Sequence, residues 1–287
     1  MAAPFPCPIK TWRSDTYENI SPLRPELSTA GKTVVIIGAG SGIGRETALA
    51  FAAAGATRVA LLGRTKSTLD ETAARIQETG RSSVSVSVHV ADITSGMQLQ
   101  STAALLGTWD ILVLASAYCP QPSEICTGDV EEWWKGYEIN VKGTLLTAQA
   151  FLPTARRPGA AFIGVASDTS VIPTAGLPQL SSYISSKLAQ AKIFEFLAAE
   201  NKDIFVAAVH PGMIETPTFY RTGATPEKVP MDKVQLPAHF MVWLASPEAS
   251  FLRGHCVWAN WDVEELKAQK DKFVGTLFMT LGSKGLL

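Results

Sequence analysis

The chain has 287 residues, 46% of them apolar and 18% charged, so it can bury one large core and has the balance of an ordinary globular protein. A net charge of −1 gives no electrostatic reason to expect nucleic acid or an anionic membrane as partner. Cys7, Cys119, Cys126 and Cys256 lack metal-ligand spacing and are too few for a disulfide framework. They read as reduced and structural, which favours the cytoplasm. No apolar run is long enough for a membrane span or a secretory leader, and the ending does not match the peroxisomal signal.

In chain order, residues 1–30 are proline-rich and aperiodic, and read as an extended arm laid over the domain or left mobile. Strands are expected at 33–37, 58–62, 83–90, 110–114, 160–165, 205–209 and 256–258, from β-branched or alternating patterns. Between them, helices are expected at 45–54, 67–78, 98–106, 131–152, 183–200 and 239–244. This alternation implies right-handed crossovers and a single α/β domain, a Rossmann-type doubly wound parallel sheet with helices on both faces. The catalytic domain is set at 31–262, with a substrate loop over 213–237 and a C-terminal tail over 263–287.

Gly38-Ala39-Gly40-Ser41-Gly42-Ile43-Gly44 follows the first strand and opens a helix. Glycines there let the backbone turn tightly and approach a pyrophosphate, and the helix N-terminus offers free N–H groups to that anion. At the end of the second strand an acidic residue would bind an adenine ribose 2′-hydroxyl and repel a 2′-phosphate. Gly63 stands there, followed by Arg64, whose guanidinium can pair with a 2′-phosphate. Arg45, just inside the first helix, is a further candidate positive charge. The expected cofactor is therefore NADP(H), although Arg64 also reads as a solvated loop residue.

Tyr183-Ile184-Ser185-Ser186-Lys187 is Y-x-x-x-K. On a helix, positions four apart share a face, so a phenol and an ammonium lie side by side. The positive charge is expected to lower the tyrosine pKa and make Tyr183 an acid able to protonate a forming alkoxide.

The glycine spacing G-x-x-x-G-x-G, the Y-x-x-x-K and the later Pro211-Gly212-Met213-Ile214-Glu215-Thr216 together resemble the short-chain dehydrogenase/reductase family over about residues 32–260. The resemblance implies that Gly38, Gly40, Ser41, Gly42, Ile43 and Gly44 cradle the dinucleotide. Pro211, Gly212, Ile214 and Thr216 meet the nicotinamide end, with the Thr216 hydroxyl able to bond the carboxamide. It assigns Asp92 to an adenine contact, although a strand-end Asp capping a turn reads as well. It makes Tyr183 the proton donor and gives Lys187 two tasks, tuning Tyr183 and binding ribose. Asn140, within Ile139-Asn140-Val141-Lys142-Gly143, matches the helix Asn that positions a relay water. Ser167, directly after the fifth strand, matches the serine that polarises the carbonyl, while the family's usual spacing to the tyrosine fits Ser170 better. Asp168 is an added carboxylate beside that place. The chain departs from the family's N-N-A-G with Leu114-Ala115-Ser116-Ala117, which removes a side-chain brace, and places Ile37 where Thr is usual.

The lead and the segment Val257-Trp258-Ala259-Asn260-Trp261-Asp262 look like filamentous-fungal members, some of which act in secondary-metabolite pathways. The expected reaction is NADPH-linked reduction of a small to medium apolar carbonyl compound, or the reverse alcohol oxidation. Residues 215–237, with Phe219 and Tyr220, form the natural lid. Resemblance also implies a homodimer or homotetramer, and no metal. Two other readings use the same fold: a cyclase or dehydratase with Asp168 or Tyr183 as acid, and a silent NADP(H)-binding protein.

Overall fold

The computed structural model describes residues 7–79, 84–167 and 174–281. β1 (Thr33–Ile37) is buried along its whole length, as a central parallel strand must be when helices cover both faces. Its residues alternate: Val34 and Ile36 enter one core, Val35 and Ile37 the other. The chain continues through α1 (Gly42–Ala53), β2 (Arg58–Gly63), α2 (Lys66–Glu78), β3 (Ser85–Val90), α3 (Gly96–Leu106) and β4 (Ile111–Leu114). Then come α4 (Val130–Tyr137), α5 (Gly143–Phe151), β5 (Ala161–Val165), α6 (Ser181–Glu200) and β6 (Phe205–His210). α7 (Pro217–Arg221), α8 (Gln235–Leu244), β7 (Cys256–Trp258) and α9 (Val263–Ala268) complete it.

The seven strands form one sheet in the order β3-β2-β1-β4-β5-β6-β7, every adjacent pair parallel. This is the doubly wound sheet expected from the alternation of strands and helices. Strand order reverses between β1 and β4, and such a switch point leaves a crevice beyond the strands' carboxyl ends. Ile37 stands level with Leu62 on one side and Leu114 on the other, so the loops that follow β1, β2 and β4 leave the sheet together. One core holds Phe51, Phe240 and Trp243, from α1 and α8; the other holds Phe151, Phe162 and Phe194, around α5 and α6.

One expected element is divided. The helix foreseen over 131–152 is interrupted by a π-helical turn, Glu138–Lys142, whose wider bond runs from the Gly143 N–H to the Glu138 carbonyl. Asn140 lies in that turn and is fully buried. Its side chain would be costly there unless hydrogen-bonded, and the partners it finds are in the loop after β4 and on α6. Periodicity in sequence registers a continuous apolar helix but not this one-residue widening.

The proline-rich lead from residue 7 lies on the β7–α9 region. Arg13 pairs with Asp262 at 2.7 Å, and its N–H donates to the Asn260 carbonyl. The Thr11 hydroxyl donates to Glu265 at 2.6 Å, and Trp12 forms an isolated antiparallel bridge with Trp261. Beyond residue 262, Leu266 and Phe273 are buried in the core. No described helix is long and apolar enough to cross a membrane.

Candidate active site

A cavity of about 930 Å³ opens at the carboxyl ends of the strands. The turn after β1, residues 63–65 and 115–117, Val165, Ser167, Tyr183, Lys187 and residues 210–214 all line it. Most of the expected site thus converges on one space, although its members lie far apart in the chain.

Backbone geometry builds the β1–α1 end. Gly38 has φ +91°, and a Cβ there would lie 2.7 Å from the Ser116 nitrogen. A Cβ on Gly44 would lie 2.2 Å from the Gly38 carbonyl oxygen. The turn therefore needs hydrogen at both positions to fold onto the β4 loop. Ser41 makes no side-chain cap to α1, so the helix presents its first-turn N–H groups to the cavity. Ala115 and Ser116, the departures from N-N-A-G, pack directly against Gly44 and Gly38.

Arg64 is exposed at the cavity edge and has no ion pair among the described residues. Arg45 is different. Both its terminal nitrogens bond the Glu71 carboxylate, and one also bonds the Gly40 carbonyl at 2.6 Å. Its charge is paired with Glu71 and braces the turn. Asp92 lies beside the cavity but does not line it. One of its carboxylate oxygens accepts from the Thr94 N–H and hydroxyl, both at 2.8 Å, the geometry of a turn cap.

At the other end, Tyr183 and Lys187 share the inward face of α6. Lys187 is 1% exposed; its Nζ donates to the Val165 carbonyl at 2.8 Å and to Gln190 Oε1 at 2.5 Å. Burial, with no charged hydrogen-bond partner among the described residues, lowers its pKa to about 7. Burial also raises the Tyr183 pKa, and the nearby Cys119 thiol adds to the rise. The lowering expected from the lysine charge is therefore replaced by a rise from desolvation, and the same burial brings Lys187 itself closer to neutrality.

Ser167 lies on the cavity wall just past β5. Asp168 and Ser170 fall outside the described residues. Asn140 does not line the cavity. Its Oδ1 accepts the Tyr118 N–H, and its Nδ2 donates to the Tyr118 carbonyl and the Ser186 hydroxyl, all at 2.9 Å. The β4 loop thus receives a side-chain brace from the helix side, in a chain whose Ala115 cannot supply one. The Thr216 hydroxyl accepts from the Phe219 N–H and caps α7, while Ile214 and Pro211 line the wall. Gly212 has φ +83°, and a Cβ there would meet the Asp232 carboxylate at 2.4 Å.

Several contributors carry no motif. Trp12 reaches the cavity from the lead and meets Trp258 edge-on, at 5.5 Å between ring centroids. Asp232 accepts the Met213 N–H at 2.8 Å, and burial raises its pKa. Helix α7 is latched: Arg221 lies 4.4 Å above the Tyr118 ring and pairs with Glu132 of α4 at 3.0 Å. Sequence order separates all of these from the motifs, and no spacing rule would have found them.

The model of the short chain dehydrogenase family matches residues 32–227. The chain belongs to that family. A short chain dehydrogenase/reductase of Claviceps purpurea is 36% identical over 97% of this chain and 94% of its own length. Another, AacuD of Aspergillus aculeatus, is 31% identical over 96% of each. Among solved structures, the L-sorbose reductase of Gluconobacter frateurii, complexed with NADPH and L-sorbose, matches with a TM-score of 0.71 at 26% identity, over 81% of this chain and 96% of its own. As a family member, this short-chain dehydrogenase is an oxidoreductase that uses a nicotinamide cofactor on small molecules. Its residues fit such a cofactor, because the glycine cradle that a Cβ would fill lies in front of an uncapped helix N-terminus.

Proposed function

We propose that the protein is an NADP(H)-dependent carbonyl reductase, or in reverse an alcohol dehydrogenase, for a small to medium apolar carbonyl compound. The observation that carries this reading is the convergence of Tyr183, Lys187 and Ser167 on the cavity that also contains the glycine cradle. When bound, the nicotinamide supplies a hydride to the carbonyl carbon. Ser167 donates a hydrogen bond to the carbonyl oxygen and polarises it. Tyr183 gives its proton to that oxygen as the carbon is reduced. A raised tyrosine pKa keeps the phenol protonated at neutral pH, the state that reduction requires. Lys187 holds positive charge against the phenolate left behind and binds the ribose. Asn140 fixes the β4 loop and the neighbouring turn of α6, through Tyr118 and Ser186.

Preference for NADP(H) is supported by Gly63 at the end of β2, in the place where an acid would oppose a 2′-phosphate, and by Arg64 beside it, which has no ion pair among the described residues. Asp92 serves the adenine pocket by shaping its turn. Apolar substrates are supported by Leu177, Leu180, Phe219 and Val229 along the lid side of the cavity. Exposed Trp134, Leu145 and Phe196 on α4, α5 and α6 support a homo-oligomer built on those helices. Four free cysteines suit a reducing compartment, the cytoplasm.

The test is NADPH oxidation with a panel of cyclic and aromatic ketones. Tyr183→Phe is expected to lower kcat by about a thousandfold while NADPH still quenches tryptophan fluorescence as in the parent. Near-parent turnover in that variant rejects the assignment.

A further inference from the structure

Lys187 is joined to the interior by a chain of hydrogen bonds that no motif announces. Its Nζ donates to Gln190 Oε1 at 2.5 Å; Gln190 Nε2 donates to the Thr144 hydroxyl at 2.8 Å; that hydroxyl donates to the Asn140 carbonyl at 2.7 Å. Lys187 is 1% exposed, and Gln190, Thr144 and Asn140 are all 0% exposed. We propose that Gln190 is a positioning residue that, with Thr144, sets the proton affinity of Lys187 through this one-way chain. The inference rests on the reading of Lys187 as part of the proton-delivery group.

Direction is forced from both ends. An ammonium has only donors, so Gln190 must turn its oxygen toward Lys187. A carbonyl only accepts, so the Thr144 hydroxyl must spend its single proton on Asn140. The hydroxyl oxygen is then left to accept from the Gln190 amide nitrogen. Thr144 thereby locks the amide against the flip that would aim its NH₂ at the lysine. The anchoring carbonyl belongs to the π-helical turn, Glu138–Lys142.

The consequence is a lysine whose hydrogen bonds, among the described residues, go to neutral dipoles. Among the described residues its hydrogen-bond partners, the Val165 carbonyl and the Gln190 amide, are both neutral. The titratable groups that face it are the Tyr183 phenol one turn earlier on α6 and the Cys256 thiol of β7, which favours the charged form. Cys119 stands beside Tyr183. Among the described residues, β5 contributes the Val165 carbonyl and α5 the uncharged Thr144. A neutral acceptor stabilises the ammonium without fixing it, so burial can bring Lys187 close to neutrality. A carboxylate at the same place would lock it charged.

The experiment uses the full chain carrying lysine labelled with ¹³C at the ε-carbon, with the Lys187 signal assigned by its loss in Lys187→Arg. The midpoint of its pH titration is read in the parent, Gln190→Glu, Gln190→Met and Thr144→Val. Gln190→Glu is expected to strengthen proton binding by more than about tenfold, since an ion pair replaces an ion–dipole contact. Gln190→Met is expected to weaken it, and Thr144→Val to weaken it less, because the freed amide can rotate. In ketone reduction with NADPH, the pH profiles should move in the same directions. A packing role alone would lower kcat equally at every pH. Midpoints and profiles unchanged in Gln190→Met and Thr144→Val overturn the proposal, even if Gln190→Glu fails to fold. Full activity of Tyr183→Phe would instead overturn the reductase reading, and the titrations would still judge the chain by themselves.

Discussion

The two ends of the cavity are built by different means. At the β1–α1 end the backbone does the shaping: glycines remove bulk, and a helix terminus offers N–H groups. At the α5–α6 end, side chains do it, as buried amides, hydroxyls and an ammonium satisfy one another. A backbone site tolerates no added atom, whereas a side-chain network tolerates substitution only if each remaining donor and acceptor finds a partner. Damage at the first end should therefore appear in cofactor affinity, and damage at the second in stability and in proton transfer.

The sharpest break should be Gly44→Ala. Its methyl group would lie 2.2 Å from the Gly38 carbonyl oxygen, and the turn must open. Fluorescence titration should show NADPH binding weakened by about 100-fold, on the order of 3 kcal/mol. Binding as in the parent would mean that the cradle is not where the pyrophosphate lies. Asn140→Ala tests the opposite end. It strands the Tyr118 N–H and carbonyl and takes one of two partners from the Ser186 hydroxyl, and urea unfolding should show a loss of about 3 kcal/mol. A loss below about 1 kcal/mol would show that water replaces the amide there.

Lys187 gives the comparison a pH axis. Its folded pKa of about 7 lies below its ordinary value of 10.5. Between those values the unfolded chain binds the proton and the folded chain does not, so this group makes stability rise with pH across that window. Below pH 7 both forms are charged, and the full cost of burying the ammonium is present. Lys187→Met should flatten the rise in unfolding free energy between pH 7 and 10, and an unchanged slope would place its source elsewhere. A smaller effect is expected at the cofactor edge. Arg64→Ala should weaken NADPH by about tenfold, about 1.4 kcal/mol, and leave NADH untouched. Equal loss for both cofactors would remove Arg64 from 2′-phosphate recognition. Arg221→Ala should have the least effect. It loosens the α7 latch on Tyr118 and Glu132 and should raise KM for the ketone a few-fold, as expected of partly exposed contacts.

Features whose chemistry is local along the chain were legible beforehand. The strand–glycine–helix succession, the Y-x-x-x-K face and the strand-end serine each occupy a short stretch, and the fold brings them together as the succession of elements implies. Arg45 was legible as a charge near the cradle but not as a paired one, because Glu71 lies on the next helix. The same limit applies to Asn140. Its family position was visible, while its brace to Tyr118 depends on a π-turn that hydrophobic periodicity does not encode.

By itself the sequence determined the family, the order of strands and helices, and the turn that must be glycine. Each of these rests on backbone conformation or on residues within a turn or two of one another. Tertiary structure alone decided which charges are paired, how Lys187 is held, that Trp12 and Asp232 line the cavity, and that Gln190 and Thr144 stand in a hydrogen-bonded chain behind Lys187. The physical reason is that free charge and proton affinity are set by burial and by partners, and in this protein those partners arrive from other elements. The Tyr183–Lys187 pair stands on both sides of that divide: helical spacing places the two groups together, and the surrounding core sets how tightly each holds its proton.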